Sequence, residues 1–135
     1  MDITPLVPAG RQIIESYGSG RFRIAGQVHQ GSVLVFPDRT ESWSIDSADR
    51  VSAGSLTSVI AAGKAGDVEL LLLGCGARLV QVAAPLRAAL RDAGVGLEPM
   101  DTGAACRTFN VLLAEGRRVA AALIAVDAVN ETGRL

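Results

Sequence analysis

Two stretches that consist only of apolar residues constrain the fold of this chain most. Residues 70–73 are four leucines, and residues 119–126 contain only alanine, valine, leucine and isoleucine. A strand with apolar side chains on both faces must be covered on both faces, as in the inner strands of a parallel sheet. Both runs fall far short of the ~20 residues that span a bilayer. We therefore predict buried strands at residues 70–73 and 118–126, in a chain that does not span a membrane.

Three segments around these strands have the character of helices. Residues 56–62 fit a short helix, and residues 85–93 fit a helix with proline in its first turn and Gly94 as its terminator. A predicted strand at residues 95–100 is followed by a predicted helix at residues 102–115. The order is one helix and then βαβαβ. Right-handed crossovers make these strands largely parallel, with helices on both faces of the sheet.

Short runs in which apolar and polar residues partly alternate predict β-structure in the first third of the chain. Glycine-rich turns separate them, and the predicted strands are residues 12–16, 21–24, 27–30, 32–36 and 40–45. The predicted fold class is therefore α/β, a three-layer sandwich with a central mixed, largely parallel sheet and an N-terminal antiparallel β-meander. The length of 135 residues suits a single domain. We assign residues 1–126 to this domain and expect a disordered tail at residues 127–135.

Composition and charge argue against several classes of function. The net charge is −1 and the pI is near 5.8, which does not suit a general nucleic-acid-binding protein. Cys75 and Cys106 match no zinc or iron–sulfur spacing, and His29 is the only histidine, so we expect no metal and no cofactor. The N-terminus has neither a secretory signal nor an arginine-rich transit sequence, so we expect a cytoplasmic bacterial protein.

Two short turns that follow predicted parallel strands are candidates for a ligand site. One follows the strand at residues 70–73 and the other follows the strand at residues 95–100; together they hold Gly74, Gly76, Asp101, Thr102 and Gly103. The carboxyl ends of parallel strands share one rim of a sheet, where ligands of α/β proteins bind. The third glycine of a dinucleotide-binding fingerprint is absent. The alternative interpretation is that these glycines only permit the turns.

The second turn opens the last predicted helix and has the features of an anion site. Small residues leave the amide groups of Ala104 and Ala105 uncovered, and Arg107 would pair with a phosphate or carboxylate. Asp101 is the only carboxylate well placed for acid–base chemistry. An N-cap role for Asp101 or Thr102 explains the same position more simply.

The helix at residues 102–115 divides into an apolar stripe and a polar face. The spacing i, i+4, i+7, i+8 predicts burial of Ala105, Phe109, Leu112 and Leu113. Asn110 lies on the opposite face, where it lowers helix propensity. We expect Asn110 and Thr108 to form structural hydrogen bonds with an adjacent turn.

The two ends of this helix carry further groups with chemical potential. Cys106 lies beside Arg107 near the helix start, two features that lower a thiol pKa, although packing in the core is the preferred interpretation. At the other end, we expect Glu115 to form an ion pair with Arg117 or Arg118. No recognised catalytic set accompanies these residues.

A family resemblance rests on the same helix. Thr108-Phe109-Asn110-Val111-Leu112, followed by Glu115-Gly116-Arg117-Arg118-Val119, resembles domain-of-unknown-function family 498, as do residues 32–37 and 71–76. The family includes the mitochondrial respiratory complex I assembly factor 3 and many small bacterial proteins. The resemblance implies a three-layer α/β domain and, for the mitochondrial branch, help in assembling a membrane complex. It implies no enzymatic activity.

Two functions are compatible with these observations. The first is a non-enzymatic interaction or assembly domain with an unidentified protein partner and peripheral contact with a membrane complex. The second is binding of a phosphate or carboxylate, or an enzymatic reaction, at the rim with the glycine turns. Trp43 would anchor a protein partner if it is exposed, and would belong to the core if it is buried.

Overall fold

Three layers of secondary structure form the fold of residues 11–127, the part of the chain that a computed structural model describes. All of the predicted tail except its first residue lies outside these residues. In chain order the strands and helices are β1 (Ile14–Gly18), β2 (Arg21–Ile24), β3 (Gln27–Gln30), β4 (Val33–Val35), β5 (Thr40–Ser42), α1 (Thr57–Lys64), β6 (Leu70–Gly74), α2 (Ala84–Asp92), β7 (Gly96–Met100), α3 (Thr102–Ala114) and β8 (Val119–Leu123). Two short 3-10 helices, Ala48–Arg50 and Ala53–Leu56, precede α1.

The central layer is a five-stranded mixed sheet in the order β5-β4-β8-β6-β7. β6 pairs in parallel with β7 and with β8, whereas β4 pairs antiparallel with β5 and with β8. Every residue of β8 is buried, since strands flank it and the two outer layers cover its faces. The predicted α/β fold class is therefore confirmed.

The predicted β-meander divides between two sheets. β1, β2 and β3 form a separate antiparallel sheet, whereas β4 and β5 join the central sheet through β8. Burial patterns give the physical reason. Side chains along β2 alternate between exposed and buried, which suits a sheet covered on one face, and all three residues of β4 are buried. The strand predicted at residues 40–45 is shorter and ends at Ser42.

Each face of the central sheet has its own core. Leu71, Leu73, Ala120 and Ala122 pack with α1, α2 and Trp43 on one face. The alternate residues of the same strands face the other way and pack with α3 and the three-stranded sheet; among them are Leu72, Val119, Ala121 and Leu123. Trp43 is 7% exposed, and its Nε1 donates to the Ser55 carbonyl at 2.7 Å. Trp43 therefore belongs to the core, and its interpretation as an exposed anchor is wrong.

β7 forms one edge of the central sheet, and two features limit its pairing with a further strand. The amide of Gly96 donates to the Glu69 carbonyl, next to β6. Because backbone groups along a strand alternate in direction, those of Leu97 and Pro99 point away from β6. Arg87 of α2 donates to the Leu97 carbonyl at 3.3 Å. Pro99 has no amide hydrogen to offer. This edge is therefore partly closed to strand addition.

Candidate functional site

Thr102, the first residue of α3, joins the segments that follow β6 and β8. Its Oγ1 accepts from the Gly76 amide at 2.9 Å and donates to the Ile124 carbonyl at 2.8 Å. Its own amide donates to the Gly76 carbonyl at 2.9 Å. The predicted meeting of the two turns at one rim is thus confirmed, although their use as a ligand site stays a prediction.

Close approach by other atoms favours glycine at two rim positions. A Cβ at Gly74 would lie 3.0 Å from Thr102 Cα and 3.1 Å from Leu123 Cδ2. A Cβ at Gly103 would collide with the Tyr17 hydroxyl and lie 3.0 Å from Tyr17 Cζ. These glycines let α3 pack closely against the central sheet and against β1, which supports the structural interpretation of the two turns.

Asp101 is the N-cap of α3. Its backbone is extended, with φ −66° and ψ 159°, and its Oδ1 accepts from the Ala104 amide at 2.9 Å. The Ala105 amide donates to the Asp101 carbonyl at 3.0 Å. The predicted cap is confirmed. The prediction that Ala104 and Ala105 donate to an anion is wrong, because the Asp101 side chain and carbonyl accept from these two amides. Arg107, the third group of the predicted anion site, is exposed.

Cys106 is a core residue. It is 3% exposed and packs in the cluster beneath α3. Burial raises the pKa of its thiol to about 12. The guanidinium of Arg107 lowers this pKa, but its effect is smaller than that of burial. The preferred packing role is confirmed, and the alternative of a reactive thiolate is wrong because the neutral thiol persists at physiological pH.

The buried stripe predicted along α3 is confirmed at three of its four positions. Ala105, Phe109 and Leu113 are buried, and Phe109 is fully enclosed. Leu112 is a correction, since it is only partly buried at the margin of the cluster. Phe109 and Leu113 lie in the middle of the face that α3 turns towards the sheet, and Leu112 lies at the side of that face.

Asn110 links α3 to the three-stranded sheet. Its Oδ1 accepts from the Ile14 amide at 2.9 Å, and its Nδ2 donates to the Ile14 carbonyl at 2.8 Å. The structural hydrogen bond predicted for Asn110 therefore exists, but its partner is the first residue of a strand and not a turn. The same expectation for Thr108, which is partly buried, stays a prediction.

Arg117 and Arg118 pair with Glu69 and not with Glu115. Arg117 Nε lies 3.5 Å from Glu69 Oε2, and Arg118 Nη2 lies 3.2 Å from Glu69 Oε1. A backbone hydrogen bond of 2.8 Å from the Glu69 amide to the Arg118 carbonyl brings these residues together where β6 and β8 begin. The predicted helix-end pair is therefore wrong. Loss of hydration raises the pKa of Glu69, but the two guanidinium groups outweigh it and hold that pKa below its ordinary value.

A cleft of about 580 Å³ opens beside the rim, between the segments that follow β6 and β8 and the first 3-10 helix. Of the six predicted rim residues, only Gly76 lines it. A second cleft of about 250 Å³ adjoins it and shares four lining residues with it: Ala48, Asp49, Cys75 and Val80. We call the two clefts together the rim groove.

The rim groove has residues that the sequence analysis did not single out. Asp46, Asp49 and Asp127 line the larger cleft, and Arg78 is the one cationic residue among the described residues that line it. Leu79 is 62% exposed and Val80 is 37% exposed on the loop that follows β6. The signal for this apolar pair was its place in a loop that starts with a glycine turn, because such loops lie at the surface.

Within residues 11–127, no helix has the length and apolar character needed to cross a membrane. The same residues contain no cluster of three or more His, Cys, Asp or Glu side chains placed to hold a metal ion.

The fold and the rim define a class of α/β domain in which a mixed sheet lies between two helices on one side and a helix with a small antiparallel sheet on the other. A solved structure described as an outer membrane protein from Bartonella henselae has this fold. It superposes with a TM-score of 0.80 at 37% sequence identity and covers 87% of this chain and 98% of that chain.

The chain belongs to the family described as protein of unknown function (DUF498/DUF598), whose model matches residues 14–124. An uncharacterised protein of Rhodobacter capsulatus is 42% identical over 116 residues, which are 86% of each chain. NADH dehydrogenase [ubiquinone] 1 alpha subcomplex assembly factor 3 of Danio rerio is 36% identical over 112 residues, covering 83% of this chain and 63% of that protein. The chain therefore spans less than two thirds of the assembly factor, and the predicted family is confirmed.

Proposed function

We propose that this protein is a non-enzymatic interaction domain that assists the assembly of a multi-subunit complex, specifically a respiratory complex that it contacts at the membrane surface. The observation that carries the proposal is the 36% identity with the zebrafish complex I assembly factor. Because the match extends over 83% of this chain, it involves the domain as a whole and not one motif. The proposed location is the cytoplasm.

The use of polar groups at the rim supports a role in binding over one in catalysis. The Asp101 side chain caps α3, Thr102 holds Gly76 and Ile124, and the Cys106 thiol is buried. These groups stabilise the fold. The loop after β6 instead presents two adjacent exposed apolar side chains, Leu79 and Val80, which can contribute to a protein contact.

Binding of a phosphate or carboxylate is the second candidate, and it rests on Arg107. This side chain is exposed near the start of α3, with its Nη1 3.4 Å from the position that a Cβ of Gly103 would take. Titration with inorganic phosphate would then move the backbone amide resonances of Gly103 through Arg107 and of Gly76. Unchanged resonances would remove this candidate.

Affinity purification from the native host tests the assembly function. The tagged protein is isolated in mild detergent from membrane and cytoplasmic fractions, and its partners are identified by mass spectrometry. We expect reproducible recovery of subunits of a respiratory complex and, in a deletion strain, less of that assembled complex on native gels at unchanged transcript levels. Recovery of the protein alone, together with normal complex levels in the deletion strain, would contradict the proposal.

A further inference from the structure

The loop that follows β6 concentrates exposed apolar surface next to the rim groove. Within residues 11–127, the exposed large apolar side chains are Val28, Leu79, Val80 and Val111. Val28 lies in β3 and Val111 in α3, each without an exposed large apolar neighbour in sequence, whereas Leu79 and Val80 are adjacent. Val80 also lines both clefts of the rim groove.

Apolar side chains line much of the rim groove, and carboxylates predominate among its charged groups. Ala48, Val80 and Leu86 line the smaller cleft, so an apolar side chain that enters it would find apolar contacts. Asp46 and Asp127 line the larger cleft and Asp49 lines both, so three carboxylates outnumber the single guanidinium among the described lining residues, that of Arg78. The Ser47 hydroxyl donates to the Asp49 carboxylate and holds its pKa below the ordinary value, so Asp49 is charged at neutral pH.

We propose that the rim groove binds a protein segment in which apolar side chains are flanked by lysine or arginine. The apolar anchors would contact Val80 and the smaller cleft, and the basic side chains would face Asp46, Asp49 and Asp127. This inference rests on the proposed interaction function and adds to it the surface and the chemistry of the partner.

A synthetic amphipathic helical peptide of leucine and lysine serves as the probe, and its analogue with glutamate in place of lysine is the control. Binding to the full chain is measured by fluorescence anisotropy, and the contact surface is mapped by amide chemical shifts. We expect the basic peptide to bind, to shift residues 46–49 and 77–82, and to weaken as salt is added. The acidic analogue should not bind.

Matched variants test the two components of the groove separately. Leu79→Ser with Val80→Ser should weaken binding about tenfold through the loss of apolar contact, whereas Val28→Ser with Val111→Ser removes equivalent exposed side chains elsewhere and should not. Asp46→Asn with Asp49→Asn should also weaken binding about tenfold. The control pair is Asp67→Asn with Asp92→Asn, exposed carboxylates outside both clefts.

The outcomes separate this inference from the proposed function. Equal binding by the groove variants and their controls, equal binding of the acidic analogue, or shifts mapped elsewhere would overturn the groove. If the Leu79 and Val80 double variant still recovers the host partners of the wild-type chain, the assembly function stands and the groove is not its surface. If the wild-type chain recovers no partner while the peptide maps to the groove, the assembly function fails and the recognition chemistry stands.

Discussion

Asn110 in α3 binds both backbone polar groups of Ile14 in β1, 96 positions away in the sequence. An amide side chain offers a donor and an acceptor next to each other, as a neighbouring strand does. Asn110 therefore supplies hydrogen bonds at the outer edge of β1, which pairs only with β2 among the described strands. A family-motif residue thus fixes the three-stranded sheet to α3.

Replacement of this amide should destabilise the fold. Asn110→Ala leaves the amide and carbonyl of the buried Ile14 without their partner, and we expect the free energy of unfolding to fall by about 2 kcal/mol. Urea unfolding measures the change, and amide hydrogen exchange at Ile14 should accelerate. Val111→Ala on the exposed face of α3 is the control and should stay within about 0.5 kcal/mol of wild type. Equal stability of the two variants would contradict the role of Asn110.

Loss of the Thr102 hydroxyl should have a larger effect. Thr102→Val keeps the shape but removes the hydrogen bonds to the Gly76 amide and the Ile124 carbonyl, both in buried surroundings. We expect a loss of about 3 kcal/mol, measured by differential scanning calorimetry. Thr102→Ser retains the hydroxyl and should lose about 1 kcal/mol through its missing methyl group. The interpretation is wrong if valine is tolerated as well as serine.

Gly103 should resist a substitution that normally stabilises helices. Gly→Ala gains about 1 kcal/mol in a helix interior and less in the first turn, where Gly103 lies, and the new Cβ would meet Tyr17, so we expect a net loss of about 1–3 kcal/mol. In a Tyr17→Phe background the missing hydroxyl relieves part of the clash, so the same change should cost less. Chemical denaturation of the four proteins gives the coupling energy. A stabilising Gly103→Ala would refute this packing.

The buried thiol should make stability depend on alkaline pH. The pKa of Cys106 is raised from 9.0 to about 12, so the unfolded chain loses this proton at lower pH than the folded chain. The contribution is complete below the unfolded pKa and is lost as pH rises towards the folded pKa, at up to about 1.4 kcal/mol per pH unit. Urea unfolding across this range should show a shallower decline for Cys106→Ala. Parallel declines would mean that Cys106 is not shielded from solvent.

Local periodicity was enough to predict the central elements. The apolar runs at residues 70–73 and 119–126 contain most of β6 and all of β8, because a strand buried on both faces leaves an unbroken apolar sequence. The strand predicted at residues 118–126 is too long, since β8 ends at Leu123. The cap at Asp101 was also predictable, since its partner Ala104 lies only three positions away. The parallel rim followed from the order of the elements, which brought Gly76 and Thr102 together.

Contacts that depend on tertiary packing could not be predicted in this way. Glu69 forms ion pairs with Arg117 and Arg118 because β6 and β8 are neighbours in the sheet. The local sequence around Glu115 carries no information about this strand pairing. The neighbours of Cys106 indicated a low pKa, but exclusion of water by the core beneath α3 reverses that direction. Asp46 and Asp127 line the same cleft of the rim groove, although most of the domain lies between them in the sequence.

The partly closed edge of β7 would affect how a domain of this kind releases a bound protein. A factor that handles unassembled subunits meets chains whose own strand edges are still open, and main-chain pairing with them would be slow to reverse. Arg87 on the Leu97 carbonyl and the missing donor at Pro99 discourage that pairing. Under the proposed function, contacts at this edge would then be made by side chains, which separate one at a time, and not by a continuous ladder of backbone hydrogen bonds.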